Sequence, residues 1–123
     1  MILADTSVWV DHLRRHNSDL AERLGAQVIL GHPFVIGELA CGNLRQRGSF
    51  LTMVRSLVHA TRASDEEAFQ LLERHQLWGK GIGWVDAHLL ASALISHCRL
   101  WTLDQRLAEI AFEIGINKRQ RAS

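Results

Sequence analysis

Apolar residues along the chain alternate between short unbroken runs and helical spacing, and each switch marks an element. Ile2-Leu3-Ala4 is too short for a helix and suits a strand buried on both faces; it stops at Asp5-Thr6-Ser7. Val8, Trp9, Val10 and Leu13, with polar residues between them, predict a helix running to about Arg15. Ser18 is placed as the N-cap of a second short helix with Leu20 and Leu24 one turn apart, and Val28-Ile29-Leu30 is the next strand. Gly31-His32-Pro33 reads as a turn, with Pro33 at the first position of the helix that carries Glu38. Gly42 and Gly48 loosen the pattern before a helix over roughly 49–57.

The second half continues in the same way. Ser64 and Glu67 have capping-box spacing and open a helix bearing Phe69, Leu71, Leu72 and Leu77 before Gly79. Gly79-Lys80-Gly81-Ile82-Gly83 has neither the spacing of a Walker loop nor a Ser or Thr after its lysine, so it reads as a flexible connection. Leu89, Leu90, Ala93 and Leu94 form an apolar helix face behind Asp86. Leu100-Trp101-Thr102-Leu103 is a strand closed by Asp104. Asp104 in turn caps a last helix with Leu107, Ile110, Ala111 and Ile114 on one face and Gly115 as its stop. Strands separated by helices give an α/β chain with a parallel sheet flanked by helices. The basic run Lys118-Arg119-Gln120-Arg121 departs from the rest, so the expected division is one domain over 1–117 and a basic tail over 118–123.

Composition narrows the function classes. The 123 residues are 47% hydrophobic and 22% charged, the balance of one folded domain rather than a disordered chain. The formal charge of +1 gives no bulk drive toward nucleic acid or membrane, so any RNA-binding surface must be local. Cys41 and Cys98 form no Cys-x-x-Cys pair, and two buried, reduced thiols are expected. The first residues lack the basic lead and apolar stretch of a signal peptide, and no window is long enough to span a bilayer. A cytoplasmic protein is expected.

The chemistry concentrates in four acids. Asp5 and Asp104 end strands, and ligands of open parallel sheets bind outside the strand carboxyl ends. Asp86 starts a helix, and Glu38 lies among Val35, Ile36, Leu39 and Ala40, where an acid is costly to bury without a cation or donor. Carboxylates gathered in one crevice repel each other unless a metal neutralises them, and hard oxygen donors suit Mg²⁺ or Mn²⁺. Each acid also has a purely structural reading: Asp86 and Asp104 as helix N-caps, Asp5 as the close of a turn.

Four segments together resemble the motifs of PIN-domain proteins, and within them the VapC toxins of bacterial toxin–antitoxin pairs. They are Ile2-Leu3-Ala4-Asp5-Thr6-Ser7-Val8-Trp9, Ile36-Gly37-Glu38-Leu39, the run from Gly83 through Asp86 to Ala93, and the run from Leu100 through Asp104 to Leu107. In this order they cover nearly the whole chain. The resemblance implies a three-layer α/β/α sandwich with a central parallel sheet. It also implies a Mg²⁺- or Mn²⁺-dependent endoribonuclease acting on RNA, paired as a homodimer and held inactive by a VapB-like antitoxin. By motif, Asp5, Glu38 and Asp86 match the three core acids and Asp104 the more variable fourth. Thr6, Ser7 and Thr102 fall where the family places hydroxyls beside the metal. The stretch from Gly42 to Lys80 carries no motif, leaving room there for target recognition.

Other candidates weigh less. His12 and His16 are one turn apart without a third ligand and read as a solvated face, and His88 reads as a surface histidine. Of the four tryptophans, Trp84 and Trp101 are expected to pack. Trp9, just past Asp5, is the candidate for stacking on a base. Arg14, Arg15, Arg45, Arg47 and Arg106 are candidates for phosphate contacts. A haloacid-dehalogenase-type phosphotransferase would want an Asp where Ser7 stands; a non-catalytic RNA- or protein-binding module on the same fold is the remaining alternative.

Overall fold

A computed structural model describes residues 1–117; the expected tail over 118–123 lies outside them. The order of elements is β1 (Ile2–Ala4), α1 (Thr6–Arg15), α2 (Ser18–Gly25), β2 (Ile29–Leu30), α3 (Pro33–Ala40) and α4 (Arg47–Ser56). Then come α5 (Asp65–His75), α6 (Trp84–Ser96), β3 (Arg99–Trp101) and α7 (Gln105–Glu113). The three strands form a parallel sheet of order β2-β1-β3, with Leu3 opposite Leu30 on one side and Leu100 on the other. Because β1 is central, its carboxyl end at Ala4 opens onto the middle of the sheet. The chain steps one way from β1 to β2 and the other way from β2 to β3. Right-handed crossovers then put α1 and α2 on one face and α5 and α6 on the opposite one. This is the α/β/α arrangement expected from the sequence.

The sheet owes its place to residues that no side of the molecule exposes. Leu3, Ala4, Ile29, Leu30 and Leu100 are buried, and helices contribute Val8, Trp9, Leu20, Val35, Leu39, Leu89, Leu90, Leu107 and Ala111 to the same core. The β3 edge is closed by Asn117, whose Nδ2 donates to the Leu100 carbonyl at 2.6 Å and whose Oδ1 accepts from the Leu100 N–H at 2.9 Å. At the other edge Gly31 pairs with His59 in a one-residue parallel bridge.

Several element ends differ from the sequence reading. The cap of α2 is Asn17, not Ser18: Asn17 Oδ1 accepts from the Leu20 N–H at 3.0 Å, while its Nδ2 donates to Asp11 Oδ2 at 3.1 Å. β3 ends at Trp101, leaving Thr102 and Leu103 outside it, because their hydroxyl and N–H groups turn toward the site described next. α5 ends at His75, with Gln76 left-handed at its C-cap, although Leu77 is still buried. Trp9, expected as a stacking platform, is wholly buried and meets Phe50 edge-on at 5.9 Å. Trp84, expected to pack, is 39% exposed. Cys98 is buried as expected but Cys41 is exposed, and both are free thiols.

Candidate active site

Asp5 follows β1 directly and caps α1, so one residue is fixed by both strand and helix. The Ser7 N–H donates to Asp5 Oδ1 at 2.9 Å, and the Ser7 hydroxyl donates to the same oxygen. The Thr102 hydroxyl donates to Asp5 Oδ2 at 2.6 Å. Both carboxylate oxygens are thus held by hydrogen-bond donors, in a residue only 7% exposed. Thr102 Oγ1 also accepts from the Asp104 N–H at 3.0 Å, and Ser7 Oγ accepts from the Leu103 N–H at 2.9 Å. A short run of hydroxyls therefore ties the end of β1 to the turn that enters α7.

Asp104 caps α7 from its exposed side, with Oδ1 accepting from the Arg106 N–H at 3.0 Å and more weakly from that of Leu107. Asp86 sits three residues into α6, where Oδ2 accepts from the Gly83 N–H at 3.1 Å. Asp86 is therefore not the cap of its helix, as its structural reading had it, but it does satisfy the cap's own N–H. Glu38 reaches in from α3 and its Oε1 accepts from the Thr6 hydroxyl at 2.6 Å. The cost of burying Glu38 among apolar neighbours does not arise. Val35 and Leu39 turn into the core while Glu38, one position off that stripe, is exposed.

Electrostatics links the four acids. The Asp86 carboxyl titrates above its ordinary range, first because burial strips it of water, and further because the charges of Asp5, Asp104 and Glu38 oppose its own. The Gly83 N–H pulls the other way without cancelling these effects. Carboxylates from three other elements thus act on Asp86. Among the described residues no group of three or more His, Cys, Asp or Glu side chains is placed to hold a metal ion. The donor chemistry still fits a hard dication of the Mg²⁺ type, which keeps most of its waters and takes one or two carboxylates at a time. Such an ion would offset the repulsion that adds to the effect of burial on Asp86.

His12 and His16 hold ring centroids 5.0 Å apart at the far end of α1, and His12 Nδ1 accepts from the Asn17 N–H at 3.1 Å. They take no part in the crevice. His88 is fully buried rather than a surface residue. It lies edge-on between Phe34 and Trp84, with Nε2 3.0 Å from Asp65 Oδ1 but out of line for a hydrogen bond. The sequence reading also missed His32. It caps α3 through Nδ1, which accepts from the Phe34 N–H at 3.0 Å, and its Nε2 meets Ser92 Oγ of α6 at 3.0 Å. Its position just before Pro33 was the available signal, since a residue ahead of an N1 proline is the helix cap.

The family model for the PIN domain matches residues 2–113. Ribonuclease VapC32 of Mycobacterium tuberculosis, in both strain CDC 1551 / Oshkosh and strain ATCC 25618 / H37Rv, is 44% identical over 117 residues, which is 94% of this chain and 94% of the relative. No solved structure matches the chain. On a family match over nearly its whole length and a relative of this identity, the chain belongs to the PIN domain family.

Proposed function

We propose that the chain is a divalent-metal-dependent endoribonuclease of the VapC kind, the toxin half of a toxin–antitoxin pair. The observation that carries this is the coupling of four carboxylates from four elements at the strand carboxyl ends. The relative's printed activity supports RNA as the substrate class. Asp5, Glu38, Asp86 and Asp104 are the residues to hold the ion, Mg²⁺ or Mn²⁺. Bound there, it would supply a water of lowered pKa and offset charge on the leaving oxygen. Ser7 and Thr102 keep Asp5 in one orientation, and Thr6 does the same for Glu38.

The antitoxin follows from the same charges. A basic side chain inserted among Asp5, Glu38 and Asp86 would neutralise them in place of the metal and block the phosphate. We place that residue on the disordered, partly apolar tail of a short VapB-like partner. Homodimerisation is part of the proposal, and the exposed pair Phe69 and Trp84, rings 4.8 Å apart, is apolar surface that supports it. No helix among the described residues is long and apolar enough to cross a membrane; a cytoplasmic setting, where RNA is at hand, belongs to the same reading. The test is direct. Antitoxin-free protein should cut single-stranded RNA with Mg²⁺ or Mn²⁺ and stop with EDTA, and equal cleavage with and without chelator would overturn the proposal.

A further inference from the structure

Four arginines among the described residues are engaged by neighbours. Arg15 is tied to Asp11 at 2.6 Å, Arg47 donates to the Ala40 carbonyl at 2.9 Å, and Arg23 and Arg62 lie over Trp101 and Phe34. Arg106, like several others, is not one of them, but it alone lies on a glycine next to the acids. It is exposed and, among the described residues, has no ion-pair partner, although Glu109 stands one turn further along α7. Its position also disfavours a cation: it is the second residue of α7, where the helix dipole is positive and Asp104 is already engaged by backbone N–H groups.

Yet its side chain has a fitted bed. It lies across Gly81, whose φ of +82° and missing Cβ make the approach possible. A Cβ on Gly81 would stand 3.1 Å from Arg106 Cδ and would overlap Nη1. Gly81 is two residues before Gly83, whose N–H holds Asp86, and Arg106 is two residues after Asp104. The side chain therefore spans the two backbone segments that position these acids. Helix energetics does not favour an unpaired guanidinium there, but a phosphodiester brought to the acids would meet its planar fork of donors.

We infer that Arg106, seated on Gly81, binds a phosphate of the RNA substrate beside the acid crevice. The inference rests on the ribonuclease reading and assigns it a substrate contact. The experiment compares wild type with Arg106→Gln, Arg106→Lys and the control Arg74→Gln, an exposed arginine near the end of α5. It measures cleavage kinetics of a labelled single-stranded RNA with Mn²⁺, and metal-free binding of the same RNA across a salt series. Arg106→Gln should raise KM and the metal-free Kd about tenfold or more, with kcat changed far less. It should also flatten the salt dependence by about 0.7 in slope, one phosphate contact on a single strand. Arg106→Lys should restore the slope but not the full affinity, and Arg74→Gln should leave both parameters within about twofold of wild type. Gly81→Ala, which displaces the guanidinium, should reproduce the KM effect of Arg106→Gln. If wild type cleaves RNA while Arg106→Gln keeps KM, Kd and slope, the inference is overturned and the ribonuclease reading stands. If Arg106→Gln instead changes only Mn²⁺ affinity or kcat, Arg106 serves the acids rather than the substrate, which also overturns it. Wild type that cleaves no RNA with any divalent ion would remove the reading beneath it.

Discussion

Asp5 and Asp104 each perform two duties, capping a helix and presenting charge, and substitution can separate them. Asn caps a helix as well as Asp does. Asp5→Asn should therefore keep the fold while lowering cleavage by at least about a hundredfold, more than the tenfold to hundredfold typical of groups that only support a metal ligand. Asp86→Asn should be as inactive yet melt slightly higher without metal, because it removes the carboxyl that its three acidic neighbours oppose. Calorimetric melting alongside an RNA cleavage assay checks both, and an unfolded Asp5→Asn would return that residue to a purely structural role. Asp104→Asn should be milder in activity. Thr102 makes a finer test, since its hydroxyl joins Asp5 to the Asp104 backbone. Thr102→Val should cost tenfold to about a hundredfold in Mn²⁺ affinity, measured by titration calorimetry, with the fold retained.

At the scale of elements, caps decide where helices begin, and two of them are open to a paired test. The Ser64 and Glu67 capping box is complete, with Glu67 Oε1 accepting from the Ser64 N–H at 2.9 Å and Ser64 Oγ from the Glu67 N–H at 3.1 Å. Ser64→Ala should cost about 1 kcal/mol in urea denaturation, Asn17→Ala a similar amount, and Ser18→Ala little. Equal losses at Asn17 and Ser18 would contradict the capping of α2 described above. The contrast also shows what the chain makes legible. β1, the Pro33 start of α3, the Ser64 box and the Asp104 cap all read directly, because local chemistry sets each of them. Ser18 and Asn17 both suit a helix cap, and the bond of Asn17 to Asp11 on the preceding helix, which the sequence does not show, favours Asn17. Trp9 was misjudged because closeness to Asp5 in sequence says nothing of which helix face meets the core. The acids were legible as a pattern and the hydroxyls of Ser7 and Thr102 only through the resemblance, because the sheet must bring Thr102 to Asp5 across 97 residues before the two hydroxyls can share that carboxylate.

For the molecule as a whole, the homodimer comes first. Light scattering should give twice the chain mass, and Phe69→Asp should shift it toward one; a monomer at every concentration removes the dimer. The second whole-molecule test concerns His32, which joins three parts of the fold. It caps α3, meets Ser92 of α6, and through Ser92 Oγ, which also accepts from the Ala63 N–H at 3.0 Å, reaches the segment before α5. Because Nδ1 accepts from a backbone N–H, the ring is neutral with its proton on Nε2. Burial lowers its pKa from 6.5 to about 4, with His88, Arg62 and His59 adding to the effect. The unfolded chain therefore takes up this proton first as the pH falls. The stabilisation is fully present above pH 6.5 and is lost progressively on acidification from there toward pH 4. The slope is about 1.4 kcal/mol per pH unit and the total at most about 3 kcal/mol. His32→Asn keeps a capping oxygen for the Phe34 N–H but cannot titrate. It should be less stable than wild type at pH 7, having lost the Ser92 contact, and the difference should narrow steadily down to pH 5. Urea midpoints across pH 5–7 read this directly. A gap between wild type and His32→Asn that stays constant over that range would show that His32 binds its proton equally in the folded and unfolded chains.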